Sequence, residues 1–213
     1  MPMRQKAGRA MAQERDGDTE TRILDAAHAV FMRKGAYGAR MQEIADEAGV
    51  NRALLHYYFH DREGLARAVF ERAMEEMFPA AMRVWAADAP FEQNLREAVR
   101  LAFDHLGANP YLPGFLQTEM HVHPERFREM MARVADGPLA AISAQIRAAI
   151  DAGHLRPVPL DQLLVSIHAL IVFPFSARAF TETVLAESGR DFDDFIAERK
   201  ETVAEFILRA LRP

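Results

Sequence analysis

Four residues, Arg52, Ala53, His56 and Tyr57, are predicted to lie on the outward face of one short helix, near its N-terminal half. A face of this kind suits a helix that enters the major groove of duplex DNA. An arginine there supplies charge against the phosphates, and this attraction depends on the local face more than on the whole chain. The first chemistry that the sequence indicates is therefore DNA binding.

Two short helices within residues 40–59 must position this face. Ala45 and Ala48 are small, so a second helix can approach the first one closely. Gly49 can adopt the positive φ that ends the first helix, and Asn51 is a good N-cap for the second. This is the layout of a helix-turn-helix, although an ordinary corner between two helices has a similar pattern.

The charge of the chain is distributed unevenly. The net formal charge is −5 at pH 7, but residues 1–65 contain ten basic and ten acidic side chains. The acidic excess therefore lies wholly in residues 66–213. A neutral N-terminal segment with arginines at chosen places is compatible with DNA binding, although the total charge is acidic.

Composition excludes several classes of protein. The chain has no cysteine, which rules out a disulfide scaffold, a thiolate metal site and a cysteine nucleophile. No apolar run approaches the roughly 18 residues that span a bilayer. The first residues lack the apolar stretch of a secretory signal. We expect a cytoplasmic protein without membrane contact.

The sequence also lacks the common motifs of catalysis and metal binding. It has no phosphate-binding loop, no G-x-S-x-G and no H-E-x-x-H, so we do not expect an enzyme. His121 and His123 are two positions apart, and such side chains on a helix face away from each other. We therefore expect no metal site, and no cofactor is indicated.

Helical periodicity dominates and strand alternation is nearly absent, which predicts an all-α fold of about nine helices. Residues 1–17 have no apolar stripe and are predicted to form a flexible basic arm. The first helix should start near Asp18 and stop at Gly35, which tolerates a left-handed conformation. The last two long helices are predicted at about 161–179 and 191–211.

Three linked segments form a specific pattern. They are Phe31-Met32-Arg33-Lys34-Gly35, then Ile44-Ala45 with Ala48-Gly49-Val50, then Tyr58-Phe59-His60-Asp61-Arg62-Glu63-Gly64-Leu65. With these segments, residues 19–70 resemble the TetR/AcrR family of transcriptional regulators. The resemblance covers about a quarter of the chain.

The resemblance implies both organisation and function. A DNA-binding domain at 18–65, with its helix-turn-helix at 40–59, would be followed by a helical ligand-binding and dimerisation domain at 66–213. Such proteins are usually repressors that a small molecule releases from their operator. The implied partners are double-stranded operator DNA, a small-molecule effector and a second copy of the chain.

The resemblance places DNA contacts at nine positions, namely Arg40, Gln42, Asn51, Arg52, Ala53, His56, Tyr57, Tyr58 and Arg62. Arg52 would pair with guanine, and Ala53 would meet a thymine methyl group. Arg40 and Arg62 would contact phosphates. Arg40 and His56 depart from the residues that are usual in the family. These departures leave open an alternative, a helical small-molecule-binding module without DNA binding.

The effector is expected to be largely apolar, because methionine and aromatic side chains suit adaptable apolar ligands. The candidate lining residues are Met82, Trp85, Phe103, Leu106, Phe115, Met120, His121, Met131, His168 and Phe173.

The last two long helices are expected to pair with their copies across a twofold axis. Their apolar residues exceed what one copy needs for its core, namely Leu163, Leu164, Ile167, Leu170, Ile171, Phe173, Phe195, Val203, Phe206 and Ile207. A symmetric pair would meet two half-sites about 34–36 Å apart, or multiples of that distance. This geometry predicts a palindromic operator.

Overall fold

The computed structural model describes the backbone of residues 2–134 and 140–213, and the side chains of 17–35, 38–77, 79–132 and 140–213. The chain divides into two compact units, Met1–Ala73 and Met74–Pro213. The described backbone contains eleven α-helices and no strand, which confirms the predicted all-α fold. In chain order they are α1 (Pro2–Gly38), α2 (Met41–Ala48), α3 (Arg52–Phe59), α4 (Arg62–Trp85), α5 (Phe91–Ala108), α6 (Leu112–Val122), α7 (Pro124–Val134), α8 (Ala140–Asp151), α9 (Leu160–Ser176), α10 (Arg178–Ala186) and α11 (Phe192–Ala210).

The first unit is built on the apolar face of α1. Ile23, Ala27, Val30 and Phe31 follow the spacing of one helix face and are buried. Helix α2 packs against α1, and α3 packs against α2. Ile44 of α2 is also completely buried. The three helices therefore share one small core.

The start of α1 differs from the expected arm. The backbone is helical from Pro2, whereas the sequence predicts a flexible arm over residues 1–17. This segment is rich in alanine, arginine, glutamine and methionine, which favour a helix even without an apolar stripe. At Gly35 the backbone leaves the helical region with φ 70° and ψ 159°, a positive φ as predicted, but helical geometry resumes and continues to Gly38.

Helix α4 begins with a capping carboxylate. The sequence predicts that Asp61 caps this helix, and Asp61 Oδ1 indeed accepts a hydrogen bond of 2.8 Å from the backbone N–H of Gly64. The sequence predicts that Pro79 ends or kinks this helix. The helix does not end there, because it includes Pro79 and continues to Trp85.

The second unit has a continuous apolar core. Helix α5 contributes Leu95, Val99 and Phe103, α8 contributes Ile146, and α11 contributes Ile207. All five side chains are buried. Since these residues come from distant parts of the sequence, the core joins the beginning of this unit to its end.

A chain of hydrogen bonds crosses the edge of this core. The buried Asn94 amide donates to the carbonyl of Ala89 at 3.3 Å and to Gln145 Oε1 at 3.0 Å. Gln145 Nε2 then donates to the carbonyl of Trp85 at 2.7 Å. The buried amide is thereby satisfied, and α5 is tied to α8.

Two differences account for the larger number of helices. Helix α10 was not predicted: the expected helix at 161–179 ends as α9 at Ser176, and the chain turns at Ala177. The apolar spacing predicts one helix over 125–152 with a kink at Gly137-Pro138, and the described residues of this range form α7 and α8. Residues 137 and 138 lie outside the described ones.

No single helix of the described chain is long and apolar enough to cross a bilayer. Helices α9 and α10, which meet at an angle of 78°, have the necessary length and composition only when they are taken together.

Candidate nucleic-acid interface

The turn between α2 and α3 is fixed by local hydrogen bonds. Gly49 has φ 64° and ψ 35°, the left-handed conformation predicted for the end of α2. The N–H of Val50 donates to the carbonyl of Ala45 at 2.9 Å. Asn51 Oδ1 accepts from the N–H of Leu54 at 2.8 Å, which confirms the predicted N-cap of α3.

Two exposed ion pairs join α1 to α2 beside their shared core. Arg33 Nη2 lies 2.9 Å from Glu47 Oε2, and Lys34 Nζ lies 2.7 Å from Glu43 Oε1. Glu43 also accepts the backbone N–H of Arg40 at 3.4 Å. The Lys34 hydrogen bond, followed by that from Arg40, lowers the pKa of the Glu43 carboxyl. These contacts hold the first helix of the helix-turn-helix against α1.

Helix α3 is apolar on one side and open on the other. The apolar spacing of Leu55 and Phe59 predicts that both point to the core, and both are buried. Arg52 and Ala53 are exposed, and 71% of Tyr57 is accessible to solvent. Within the first unit, the outward face of α3 is therefore available for contact with another molecule.

Within α2 and within α3, several polar and aromatic side chains contact a neighbour on the same helix. Gln42 Nε2 donates to Asp46 Oδ1 at 2.7 Å, one turn along α2. On α3, Arg52 Nε donates to His56 Nε2 at 3.3 Å. The rings of Tyr57 and Tyr58 meet edge to face, with centroids 5.4 Å apart.

All nine predicted DNA contacts lie in the first unit, on α2, on α3 or at the adjoining helix ends. Six of them are exposed, namely Arg40, Gln42, Asn51, Arg52, Ala53 and Tyr57. His56, Tyr58 and Arg62 are half-buried. Asn51 has a structural role as a cap, and its side-chain oxygen is already engaged.

The strained end of α3 was not anticipated from the sequence. His60 has φ 61° and ψ −59°, and it is the one described residue other than glycine with a positive φ. The N–H of Asp61 donates across it to the Phe59 carbonyl at 2.6 Å. That carbonyl lies so close to α4 that a Cβ on Gly64 would be 2.4 Å from it. The only signal in the sequence was Gly64 itself, inside the first turn of a helix.

The ten residues predicted to line the effector site all lie in the second unit, and they differ in how far they are buried. Trp85, Phe103, Leu106 and Phe115 are buried, and Met82, Met120 and Met131 are half-buried. His121, His168 and Phe173 are exposed. Phe173 contacts another exposed ring, Phe180, with centroids 5.8 Å apart. Helix α9 turns its Leu163, Ile171 and Phe175 side inward, which leaves Phe173 outside.

No group of three histidine, cysteine, aspartate or glutamate side chains in the described chain could hold a metal ion. His123 Nδ1 lies 3.4 Å from Glu125 Oε1. His121, two positions away, is exposed. The described histidines of this segment thus form no cluster that could bind a metal.

Apolar side chains remain on the surface of α9 and α11. Val165 is 69% exposed and Phe206 is 64% exposed. Four residues that were counted in the predicted apolar excess are instead buried in the core of one copy, namely Leu163, Ile171, Val203 and Ile207. Periodicity identifies apolar faces, yet it does not tell which face meets the core of the same chain. The apolar excess is therefore smaller than predicted.

Both units match known families. Residues 23–69 match the family described as bacterial regulatory proteins, tetR family, and residues 92–207 match the family described as tetracyclin repressor-like, C-terminal domain. The HTH-type transcriptional repressor NicS of Pseudomonas putida is 28% identical over 173 residues, which cover 81% of this chain and 78% of that protein. The HTH-type transcriptional regulator RutR of Escherichia coli K12 is 25% identical over 191 residues, or 90% of this chain and 89% of that protein.

Solved structures show the same fold. The transcriptional regulator FadR from Bacillus subtilis, in complex with stearoyl-CoA, superposes with a TM-score of 0.68 at 18% identity. The superposition covers 91% of this chain and 100% of that one.

Proposed function

Because the chain belongs to the TetR family of bacterial regulatory proteins, we propose that it is a transcriptional repressor that leaves its operator when a small molecule binds. The observation that supports this proposal best is the asymmetry of α3. Leu55 and Phe59 anchor the helix in the core, while Arg52, Ala53 and Tyr57 remain exposed. A helix held in this way is suited to enter the major groove.

The DNA-binding domain is proposed to comprise residues 18–65, preceded by the basic segment 1–17. Arg40 and Arg62 would contact phosphates, and Arg52 would contact a guanine. Gln42, Ala53 and the two tyrosines of α3 would complete the contact surface. Such a protein acts where the genome lies, in the cytoplasm, and we propose no catalytic role for it.

Residues 66–213 are proposed to bind the effector and the second copy of the chain. An effector that binds more tightly to a conformation less able to bind DNA weakens operator binding. The size of this effect is set by the ratio of the effector's affinities for the two conformations. The buried Trp85, Phe103, Leu106 and Phe115 support a largely apolar effector. FadR from Bacillus subtilis, which has the same fold, is in complex with stearoyl-CoA, and the stearoyl chain of that ligand is apolar.

The dimer is proposed to form through α9 and α11. Val165, Phe173 and Phe206 leave apolar area exposed on these two helices. Burial of such area between two copies would stabilise the pair by roughly 25 cal/mol for each Å² removed from water. A twofold pair of helix-turn-helix domains requires a palindromic operator.

A gel shift with the duplex DNA upstream of the chain's own gene tests the proposal. The full-length protein should retard this DNA, and the double change Arg52→Ala with Tyr57→Ala should abolish the shift. The matched control, Arg147→Ala with Tyr111→Ala, removes the same side-chain types from exposed positions of the second unit. It should leave the shift unchanged. If no duplex were bound, the protein would instead be a helical small-molecule-binding module.

A further inference from the structure

A chain of hydrogen bonds begins at the strained end of α3. The N–H of His60 donates to the carbonyl of His56 at 2.9 Å, as expected for the last turn of a helix. The positive φ of His60 then closes a γ-turn between Phe59 and Asp61, a conformation that is costly for a residue with a Cβ. This turn directs the His60 carbonyl back toward the helix, where it contacts Nδ1 of the His56 ring.

The contacts of the His56 ring require one tautomer. A carbonyl oxygen only accepts hydrogen bonds, so Nδ1 must carry the proton and donate it to His60. In a neutral imidazole the other nitrogen, Nε2, is then an acceptor. Arg52 Nε is only a donor, and it lies 3.3 Å from His56 Nε2. Both contacts are thus satisfied by the same neutral form of the ring.

This arrangement leaves the terminal nitrogens of Arg52 available. The Nε–H is engaged by His56, and no hydrogen bond within the described part of the chain engages Nη1 or Nη2 of Arg52. An exposed arginine otherwise samples many rotamers. Here the His56 ring, one turn along α3, accepts a hydrogen bond from Nε of Arg52 and thereby restrains the guanidinium. The two outer nitrogens remain as the parallel pair of donors that fits the O6 and N7 atoms of guanine.

We infer that His56 is a positioning residue that orients the Arg52 guanidinium for the recognition of one guanine. The inference rests on the proposed function, because it assigns a role within the proposed DNA contact. Both ring nitrogens of His56 are used inside the protein. The ring therefore has no nitrogen left to bind a phosphate, and its effect on DNA binding acts through Arg52.

The test starts from an operator selected by the full-length protein out of a library of random-sequence duplexes. Each position of this operator is then replaced by the other three bases, and the affinity of each duplex is measured. Arg52→Ala should weaken discrimination by roughly 5- to 150-fold at one symmetric pair of positions, the usual value of a bidentate contact. His56→Ala should weaken discrimination at the same pair by roughly 2- to 12-fold, the value of one hydrogen bond.

Three variants separate positioning from direct contact. His56→Gln should restore discrimination, because a glutamine carbonyl one turn along can accept from Arg52. The double change His56→Ala with Arg52→Ala should discriminate no worse than Arg52→Ala alone. His154→Ala is the matched control, because it removes an exposed imidazole from the second unit. It should leave discrimination unchanged.

A measurement without DNA supports or contradicts the same inference. Long-range ¹H–¹⁵N NMR spectra at mildly alkaline pH distinguish the two neutral tautomers, and His56 should have its proton on Nδ1. A proton on Nε2 would overturn the inference. So would a uniform loss of affinity for all duplexes in His56→Ala, or effects of His56 and Arg52 that add. Failure of the wild type to retain any duplex would contradict the proposed function itself, and with it the assignment to guanine recognition.

Discussion

The Arg199 side chain of α11 donates a hydrogen bond of 3.1 Å from Nη2 to the carbonyl of Leu170 in α9. This carbonyl lacks its usual helical donor, because the residue four positions later is Pro174, which has no N–H. Burial lowers the pKa of the Arg199 guanidinium, and its Nε has no hydrogen-bond partner in the described part of the chain. Its carbon Cζ lies 5.5 Å from the centre of the Phe195 ring. A side chain of α11 thus satisfies a carbonyl that a proline in α9 leaves unbonded.

Replacement of this arginine should destabilise the second unit. Arg199→Ala leaves the Leu170 carbonyl without a partner, and we expect a loss of about 1–3 kcal/mol in the free energy of unfolding, measured with urea. Pro174→Ala restores an N–H at the position that normally bonds to Leu170. In the double variant the loss should therefore be smaller than in Arg199→Ala. Strictly additive effects would show that the two residues do not share this carbonyl.

Glu43 should make the first unit sensitive to acid. Its pKa is lowered in the folded chain by Lys34 and Arg40, so its contribution is present above the unfolded pKa. That contribution is lost as the pH falls from about 4.5, the ordinary value, through the lower folded one. In Glu43→Gln the decline of the melting temperature over this range should be shallower than in the wild type. Glu187→Gln, which removes an exposed carboxylate after α10, is the control and should follow the wild-type curve.

Gly64 should not tolerate a larger residue. A Cβ at this position would lie 2.4 Å from the Phe59 carbonyl, and a backbone atom cannot move aside as a flexible side chain does. We expect Gly64→Ala to cost about 1–3 kcal/mol of stability. Gly107→Ala in α5, where a Cβ meets no atom within 4 Å, should instead stabilise the helix by about 0.5–1 kcal/mol. Thermal unfolding of both variants checks the contrast, and equal effects would contradict it.

The proposed dimer face predicts a change of oligomeric state. Phe206 is 64% exposed on α11, so Phe206→Glu should place a charge in the interface and shift the protein to monomers. Sedimentation at several concentrations measures this shift. Tyr111→Glu places the same charge on an exposed aromatic position between α5 and α6 and should leave the dimer intact. A dimer that persists in Phe206→Glu would place the interface elsewhere.

The helix-turn-helix was predictable because its signals are local. Gly49 supplies a left-handed end and Asn51 caps the next helix, and both effects depend on a few neighbouring residues. The apolar spacing of Leu55 and Phe59 likewise indicates which face of α3 is buried. The fold of the first unit therefore follows from short-range rules.

Features that depend on tertiary contacts were not predictable. The positive φ of His60 was not predicted, because its φ of 61° and ψ of −59° lie outside the left-handed region that histidine sometimes adopts. Helix α10 was missed because nothing in the local pattern separates it from the end of α9 at Ala177. The burial of Leu163 and Ile171 in the core of one copy depends on how α9 packs against its neighbours, which apolar periodicity alone does not determine.

The ion pairs Arg33–Glu47 and Lys34–Glu43 are solvent-exposed, and dissolved salt screens them. The same salt competes with the protein for phosphate groups. If operator affinity is measured at increasing ionic strength, its decline would therefore have two causes, the displacement of counterions and a weaker attachment of α2 to α1. The slope alone would then overstate the number of phosphates contacted. Thermal stability measured at every salt concentration would separate the two causes.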